Sequence, residues 1–360
     1  MHNKAWKEQV AQRLTSASAF ARFLGIDDIN DTGIGKAEKQ FPMAVTPYYA
    51  SLIQKPFEKD PIFLQCMPSA YELIEAPWLT NDPLGELSCS PTQKLVHRYP
   101  DRALLLVCSE CATYCRHCTR KRISGETLPP ISEAELAKAI DYLNAHPEID
   151  DLLISGGDPL LLTDEALSSI LDAVSKVPSI KVIRIATRVL ATLPMRITDE
   201  LVSLLSKYKP IFVNTQFNHP RELTQEALSA AAMLIDAGIP VANQFVLLKG
   251  VNDTAECVEE LCRTLYHNRI RPYYMFQCDL VRGVEHFRTP LSTGISIMDH
   301  LRGRLSGMAI PNFCIDIPGL SGKIELLPNY IIEEKPTETI LRDNRGRVTS
   351  YPAPTPISKS

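Results

Sequence analysis

The sequence predicts an α/β fold made of serial βα units around a parallel sheet, and three observations carry that expectation. From about residue 102 to 317, short apolar runs rich in β-branched residues alternate with amphipathic helical patterns. The apolar runs are continuous, as in strands covered on both faces. Their spacing of roughly 30 residues leaves room for a helix between each pair. A doubly wound sheet and a partial or full βα barrel share this pattern, and both place their working loops at the carboxyl ends of the strands.

Taken in order, residues 1–96 start helical and then turn to Pro-rich stretches such as FPMAVTPYYASLIQKPFEKDPIFLQ, which reads as an N-terminal helical cap. The core is expected over 97–310. Its strand-like runs are RALLLVC from Arg102, DLLIS from Asp151, KVIRIAT from Lys181, IFVNT from Ile211, VANQFVLL from Val241 and YYMF from Tyr273, followed by NFCIDI from Asn312. Helical patterns begin at Ser132, Thr163, Thr198, Arg221 and Asp253. Ser132 with Glu135 makes a capping box, and Gly238 supplies a C-terminal stop. Residues 311–360 form a C-terminal segment. Its last stretch carries Pro336, Pro352, Pro354 and Pro356 among polar residues and reads as a loose tail.

Composition bounds the function. The 360 residues are 45 % hydrophobic, enough for a sizeable core, and the net charge of -4 lacks the basic surplus of a nucleic-acid binder. No apolar run reaches the ~18 to 20 residues of a membrane helix. The start, MHNKAWKEQVAQRL, has no apolar h-region, so a cytoplasmic location is expected, with neither nucleic acid nor membrane as partner. Disulfides are not expected there. Cys66, Cys89, Cys257, Cys262, Cys278 and Cys314 are scattered, as small buried residues are.

The other four cysteines are different. CSECATYCRHCTRKR follows a strand directly, and Cys111, Cys115 and Cys118 form C-x3-C-x2-C. Three thiolates on one loop can hold three irons of a 4Fe-4S cluster and leave the fourth open for a substrate. Cys108 adds a C-x2-C with Cys111, so the rival is a non-catalytic protein with a four-cysteine zinc site. Zinc modules usually separate two such pairs by many residues, and here the pairs overlap. Cys108 reads better as the last residue of a buried strand.

At this point the sequence resembles the radical S-adenosylmethionine (SAM) superfamily, whose C-x3-C-x2-C lies after the first strand of a partial (βα)6 barrel. The resemblance implies that SAM chelates the open iron. It also implies that Gly156, Gly157 and Asp158, in ISGGDPL after the second strand, contact SAM.

The resemblance narrows to the lysine 2,3-aminomutase family. HRYPDRALLLVCSECATYCRHCTRKR, NTQFNHP, NQFVLLKGVND, CDLVRGVEHFRTP and DIPGLSGKIELLPNY are similar to its successive motifs over about 95–332. Taken alone, Lys323 is an ordinary lysine on a Gly-flanked loop. The resemblance makes it the amine that carries pyridoxal phosphate (PLP), with Gly319 and Gly322 kept and Leu320 and Ser321 replacing two glycines. It gives Arg98 and Arg102 to the PLP phosphate, Gln244 to SAM, and Arg120 to the substrate carboxylate. Asp279 and Asp316 each end an apolar run, where an unpartnered carboxylate would be costly. In the lysine enzymes the matching pair binds the ε-ammonium, whereas in glutamate aminomutases the positions are not both acidic. The implied activity is isomerisation of L-lysine to β-lysine; glutamate and arginine are the alternative substrates. Implied partners are L-lysine, an electron-donating flavodoxin or ferredoxin, and further copies of the chain. Gln216 stands where relatives have histidine. No cysteine follows Cys314, so the zinc site that joins subunits of longer members is not carried over.

Overall fold

The computed structural model describes residues 2–26, 32–125, 129–208, 210–317, 322–343 and 345–354. Its centre is a nine-stranded sheet whose spatial order follows the chain: β1 (Leu95–Tyr99), β2 (Arg102–Cys108), β3 (Asp151–Gly156), β4 (Val182–Ala186), β5 (Ile211–Thr215), β6 (Val241–Leu247), β7 (Arg271–Gln277), β8 (Asn312–Asp316) and β9 (Lys323–Glu325). Strands β2 to β8 run parallel, and β1 and β9 are antiparallel at the two margins. Each of β2 to β7 is followed by a helix: Glu133–Ala145, Asp164–Ser175, Asp199–Leu205, Gln225–Asp236, Ala255–His267 and Leu291–Leu301. This is the partial (βα)6 barrel, with β8 added in parallel after the sixth unit.

Strand alternation explains why the interior is a working surface. Ala103, Leu105 and Val107 of β2, Leu152 and Ile154 of β3, and Ile183 and Ile185 of β4 are buried in one apolar core with the covering helices. The intervening Leu104, Leu106, Leu153, Arg184 and Ala186 point to the other face and are only half-buried. One face of the sheet is therefore sealed by helices, and the concave face is left accessible.

Local signals in the chain set the helix ends. Ser132 accepts from the Glu135 amide at 3.3 Å while Glu135 accepts from the Ser132 amide at 2.8 Å, closing the expected capping box. Gly238 takes the left-handed conformation, φ 78°, where a side chain would be strained. The helix expected from Arg221 begins instead at Gln225, because Thr224 caps it and Pro220–Glu222 forms a separate 3-10 turn.

Three elements differ from expectation. β1 was not among the expected strands; its five residues are too few to show a period. Lys323 does not lie on a loop but opens β9, paired with Asp316. Gly319, Leu320 and Ser321, the altered loop positions, lie outside the described residues. The expected loose tail contains a three-stranded antiparallel sheet, β10 (Ile331–Glu334), β11 (Glu338–Arg342) and β12 (Val348–Pro352). Its prolines are compatible with pairing: Pro336 sits in the β10–β11 turn, and Pro352 ends an edge strand, where a missing N–H costs little. Pro356 is outside the described residues.

Residues before β1 form helices and 3-10 turns that hold the segment following β2. Arg116, between two cysteines, is fully buried and grips Glu72 through Nε at 2.9 Å and Nη2 at 2.7 Å. It also donates to the carbonyls of Phe41 and Pro42. Lys121 reaches the same Glu72 carboxylate at 2.8 Å, and burial brings its ammonium down to about 8. Backbone bonds add Tyr114 N–H to Ala44 and Arg116 N–H to Gln65. Glu72→Ala should strand two buried cations and cost about 3 to 5 kcal/mol, read by chemical denaturation.

Candidate active site

The cysteine loop leaves β2 and is pressed against the loop leaving β3. Gly157 N–H donates to Cys108 O and Asp158 N–H to Glu110 O, each at 2.7 Å. A Cβ on Gly156, whose φ is 136°, would stand 2.3 Å from Cys108 O, and one on Gly157 would stand 2.2 Å from Glu110 O. Both glycines are therefore required by the backbone approach itself. Asp158 turns inward: it accepts from Leu160 N–H, Thr187 Oγ1 and Arg188 N–H. In this arrangement Asp158 ties β3 to the end of β4.

Cys111, Cys115 and Cys118 share one neighbourhood. Burial raises the Cys111 thiol well above its ordinary range, and the charges of Asp158, Cys118 and Cys115 add to it. Among the described residues no three His, Cys, Asp or Glu side chains close on a point as ligands of a single ion do. Cys108 ends β2, and burial pushes its thiol up to about 12. The donor set fits an iron-sulfur cluster: three soft thiols on one irregular loop, with a guanidinium beside one of them. Arg188 Nη1 lies 2.7 Å from Cys115 Sγ. His117 is buried with its Nε2 3.2 Å from the amides of Gln216 and Asn218, so Nε2 accepts and the ring is neutral. Gln216 thus touches the loop. Gln244 lies on β6 in register with Tyr274 of β7, on the half-buried face.

A second group gathers where the two margins of the sheet meet. Arg98 of β1 donates to Asp316 of β8 at 2.8 Å, both side chains nearly buried. Lys323 Nζ lies 3.8 Å from the same carboxylate. The ammonium is 5.4, 5.9 and 5.5 Å from the ring centres of Tyr99, Tyr274 and Phe276. Arg102 stacks on Tyr99 at 4.1 Å, and the Tyr99 hydroxyl accepts from the Lys323 N–H at 3.2 Å. An amine flanked by aromatic rings and two guanidiniums fits a planar aldehyde that carries a phosphate. Sequence reasoning missed Tyr99, Tyr274 and Phe276; the aromatic density of HRYPDR and YYMF was their only signal.

Asp279 follows β7 and accepts from Thr119 Oγ1 at 2.8 Å. Burial, with a contribution from Asp316, raises its carboxyl to about 6. The two aspartates are near enough for the charge of Asp316 to act on Asp279. Arg120 is held by Glu86, which accepts from Nε and Nη2, while Nη1 donates to Ser155 at 3.2 Å. Burial alone would raise the Glu86 carboxyl, but Arg120 and Arg122 bring it down to about 2. Glu86 had no signal in the sequence.

Residues 105–265 match the radical SAM superfamily, and residues 298–360 match the family described as Lysine-2,3-aminomutase. The L-lysine 2,3-aminomutase of Clostridium subterminale is 44 % identical over 97 % of this chain and 84 % of its own. The chain belongs to the lysine 2,3-aminomutase family. That of Methanococcus maripaludis is 46 % identical over 97 % and 81 %, and the glutamate 2,3-aminomutase of Clostridioides difficile is 39 % identical over 95 % and 81 %. Streptococcus suis SuiB bound to S-adenosylmethionine has a TM-score of 0.46 at 17 % identity, over 60 % of this chain and 50 % of that one, a likeness too loose to add to the fold. As a radical SAM aminomutase family member, the chain is an isomerase that uses a 4Fe-4S cluster and SAM. Gly157→Ala should displace the cysteine loop and lower the iron retained after anaerobic reconstitution several-fold. Gly35→Ala, in open space, should leave it unchanged.

Proposed function

We propose that this isomerase is PLP-dependent and moves the amino group of L-lysine from C2 to C3, giving β-lysine. The observation that supports lysine is the pair Asp279 and Asp316, two carboxylates whose charges act on one another, with Lys323 Nζ 3.8 Å from Asp316. Two like charges in low dielectric are costly, and a cation between them offsets that cost. A substrate ammonium does this, whereas the side-chain carboxylate of glutamate would add a third negative charge.

Cys111, Cys115 and Cys118 would hold the cluster, and Gly156, Gly157, Asp158 and Gln244 would contact SAM. Lys323 would hold PLP, with Arg98 and Arg102 toward its phosphate. When bound, the cluster and SAM would supply radical chemistry for hydrogen abstraction, and PLP would supply delocalisation of an unpaired electron.

The chain's own residues bind and orient. Arg120 is pre-aimed because Glu86 holds two of its nitrogens, which leaves the Nη1 edge by Ser155 for the substrate carboxylate. Arg98 shares Asp316 with Lys323, so an arriving ammonium competes for a carboxylate already in place. The rings of Tyr99, Tyr274 and Phe276 flank the amine, which stays open to solvent for an arriving aldehyde. Fixing both ends of the substrate in this way can supply several kcal/mol, within the ~7 to 11 kcal/mol that orientation can reach. A flavodoxin or ferredoxin would deliver the electron, and cysteines without disulfides suit the cytoplasm. No helix of the described residues is long and apolar enough to cross a membrane.

Reconstituted, reduced protein assayed with lysine, glutamate and arginine should isomerise lysine; turnover of another amino acid with lysine untouched refutes the reading. Asp279 is charged above about 6 and neutral below it. The lysine kcat/KM should therefore fall about tenfold per pH unit below that point. Lys323→Ala should lose bound PLP while keeping its iron, measured by cofactor and metal analysis of the same preparation.

A further inference from the structure

Arg188 is not among the residues that the sequence marked. It follows β4 and starts the short helix Val189–Thr192. Its side chain is 9 % exposed. Nη1 donates to Cys115 Sγ at 2.7 Å. Nη2 donates to Glu222 Oε1 at 2.6 Å, Gln65 Oε1 at 2.6 Å and Tyr49 Oη at 3.0 Å. Its backbone N–H donates to Asp158 at 2.7 Å, so the GGD turn fixes where Arg188 begins. Nε is buried without an acceptor among the described residues.

This is a built arrangement. Four elements converge on one guanidinium, and one of its edges is spent on a thiol. The Glu222 carboxylate is itself anchored by the N–H groups of Asn218 and His219, so the cation cannot swing away without stranding a buried anion. A positive charge and an N–H directed at a ligand sulfur both favour the more negative state of a cluster.

We infer that Arg188 is a positioning residue for the iron-sulfur centre, holding Cys115 in its ligating place and raising the potential at which the cluster accepts its electron. The inference rests on the reading of Cys111, Cys115 and Cys118 as cluster ligands. In the step concerned, a low-potential one-electron reductant passes one electron to the 2+ cluster and leaves it 1+. No proton leaves Arg188, and no bond is made or broken.

The test is a potentiometric titration of the full-length, anaerobically reconstituted protein without SAM, followed by the electron paramagnetic resonance signal of the reduced cluster. In Arg188→Met the ratio of reduced to oxidised cluster at a given potential should fall about tenfold, or about 59 mV for one electron. Arg188→Lys, which keeps the charge and loses the fork, should fall by less. Glu222→Gln, which removes the opposing charge, should shift the other way, and it reads the same point if Arg188→Met does not retain its cluster. A midpoint unchanged in Arg188→Met, or in Glu222→Gln where Arg188→Met holds no iron, overturns the role of Arg188. Wild-type protein that takes up no iron and sulfide overturns the ligand reading beneath it.

Discussion

A buried ion pair joins β1 to β8 across a sheet that, among the described residues, no backbone ladder closes. Arg98 stands on the strand before the barrel and Asp316 ends the last parallel strand, yet they meet at 2.8 Å. Taking two charges out of water is expensive, and the attraction compensates only when geometry is good and other partners share the load. Here Lys323 shares Asp316, and Tyr99 binds the Lys323 backbone. The seam is therefore also the place where Lys323, Asp316, Tyr99, Arg98 and Arg102 assemble. The same charges that close the curved sheet furnish the site.

The opposite demand falls on the cysteine loop. A metal-binding loop needs irregular backbone, and irregular backbone carries polar groups that must be satisfied. The chain meets this from three sides. The N-terminal helices supply Glu72, Gln65 and the carbonyls of Phe41, Pro42 and Ala44. Arg13 donates to Cys111 O at 2.7 Å. The β3 loop presses in through Gly156 and Gly157, and Arg188 approaches from β4. Charged residues that would look solvent-exposed in the string CRHCTRKR are in fact buried struts. The cap thus acts as the outer wall of the site.

How much of this was legible in the sequence follows from what each signal depends on. Seven strands, β2 to β8, and five of the helices were readable because strands apolar on both faces leave continuous runs and capping is local. The Cys111, Cys115 and Cys118 spacing was readable because all three lie on one loop. Asp279 and Asp316 stood out as carboxylates ending apolar runs. β1 and β9 were not readable, since three to five residues show no period. The tail sheet was hidden because composition was weighed above its β-branched stretches, TETIL and VTS.

The chain by itself settled the serial βα elements of the core and the kinds of donor available: thiols on one loop, an amine near the C-terminal end, carboxylates at strand ends. Those properties depend on residues within a few positions of one another. Only the tertiary structure decided the pairings, Arg98 with Asp316, Arg120 with Glu86, Arg116 with Glu72 and Arg188 with Cys115. Each joins positions 34 to 218 residues apart. A charge carries no mark of its partner along the chain, because its energy depends on distance and burial in three dimensions.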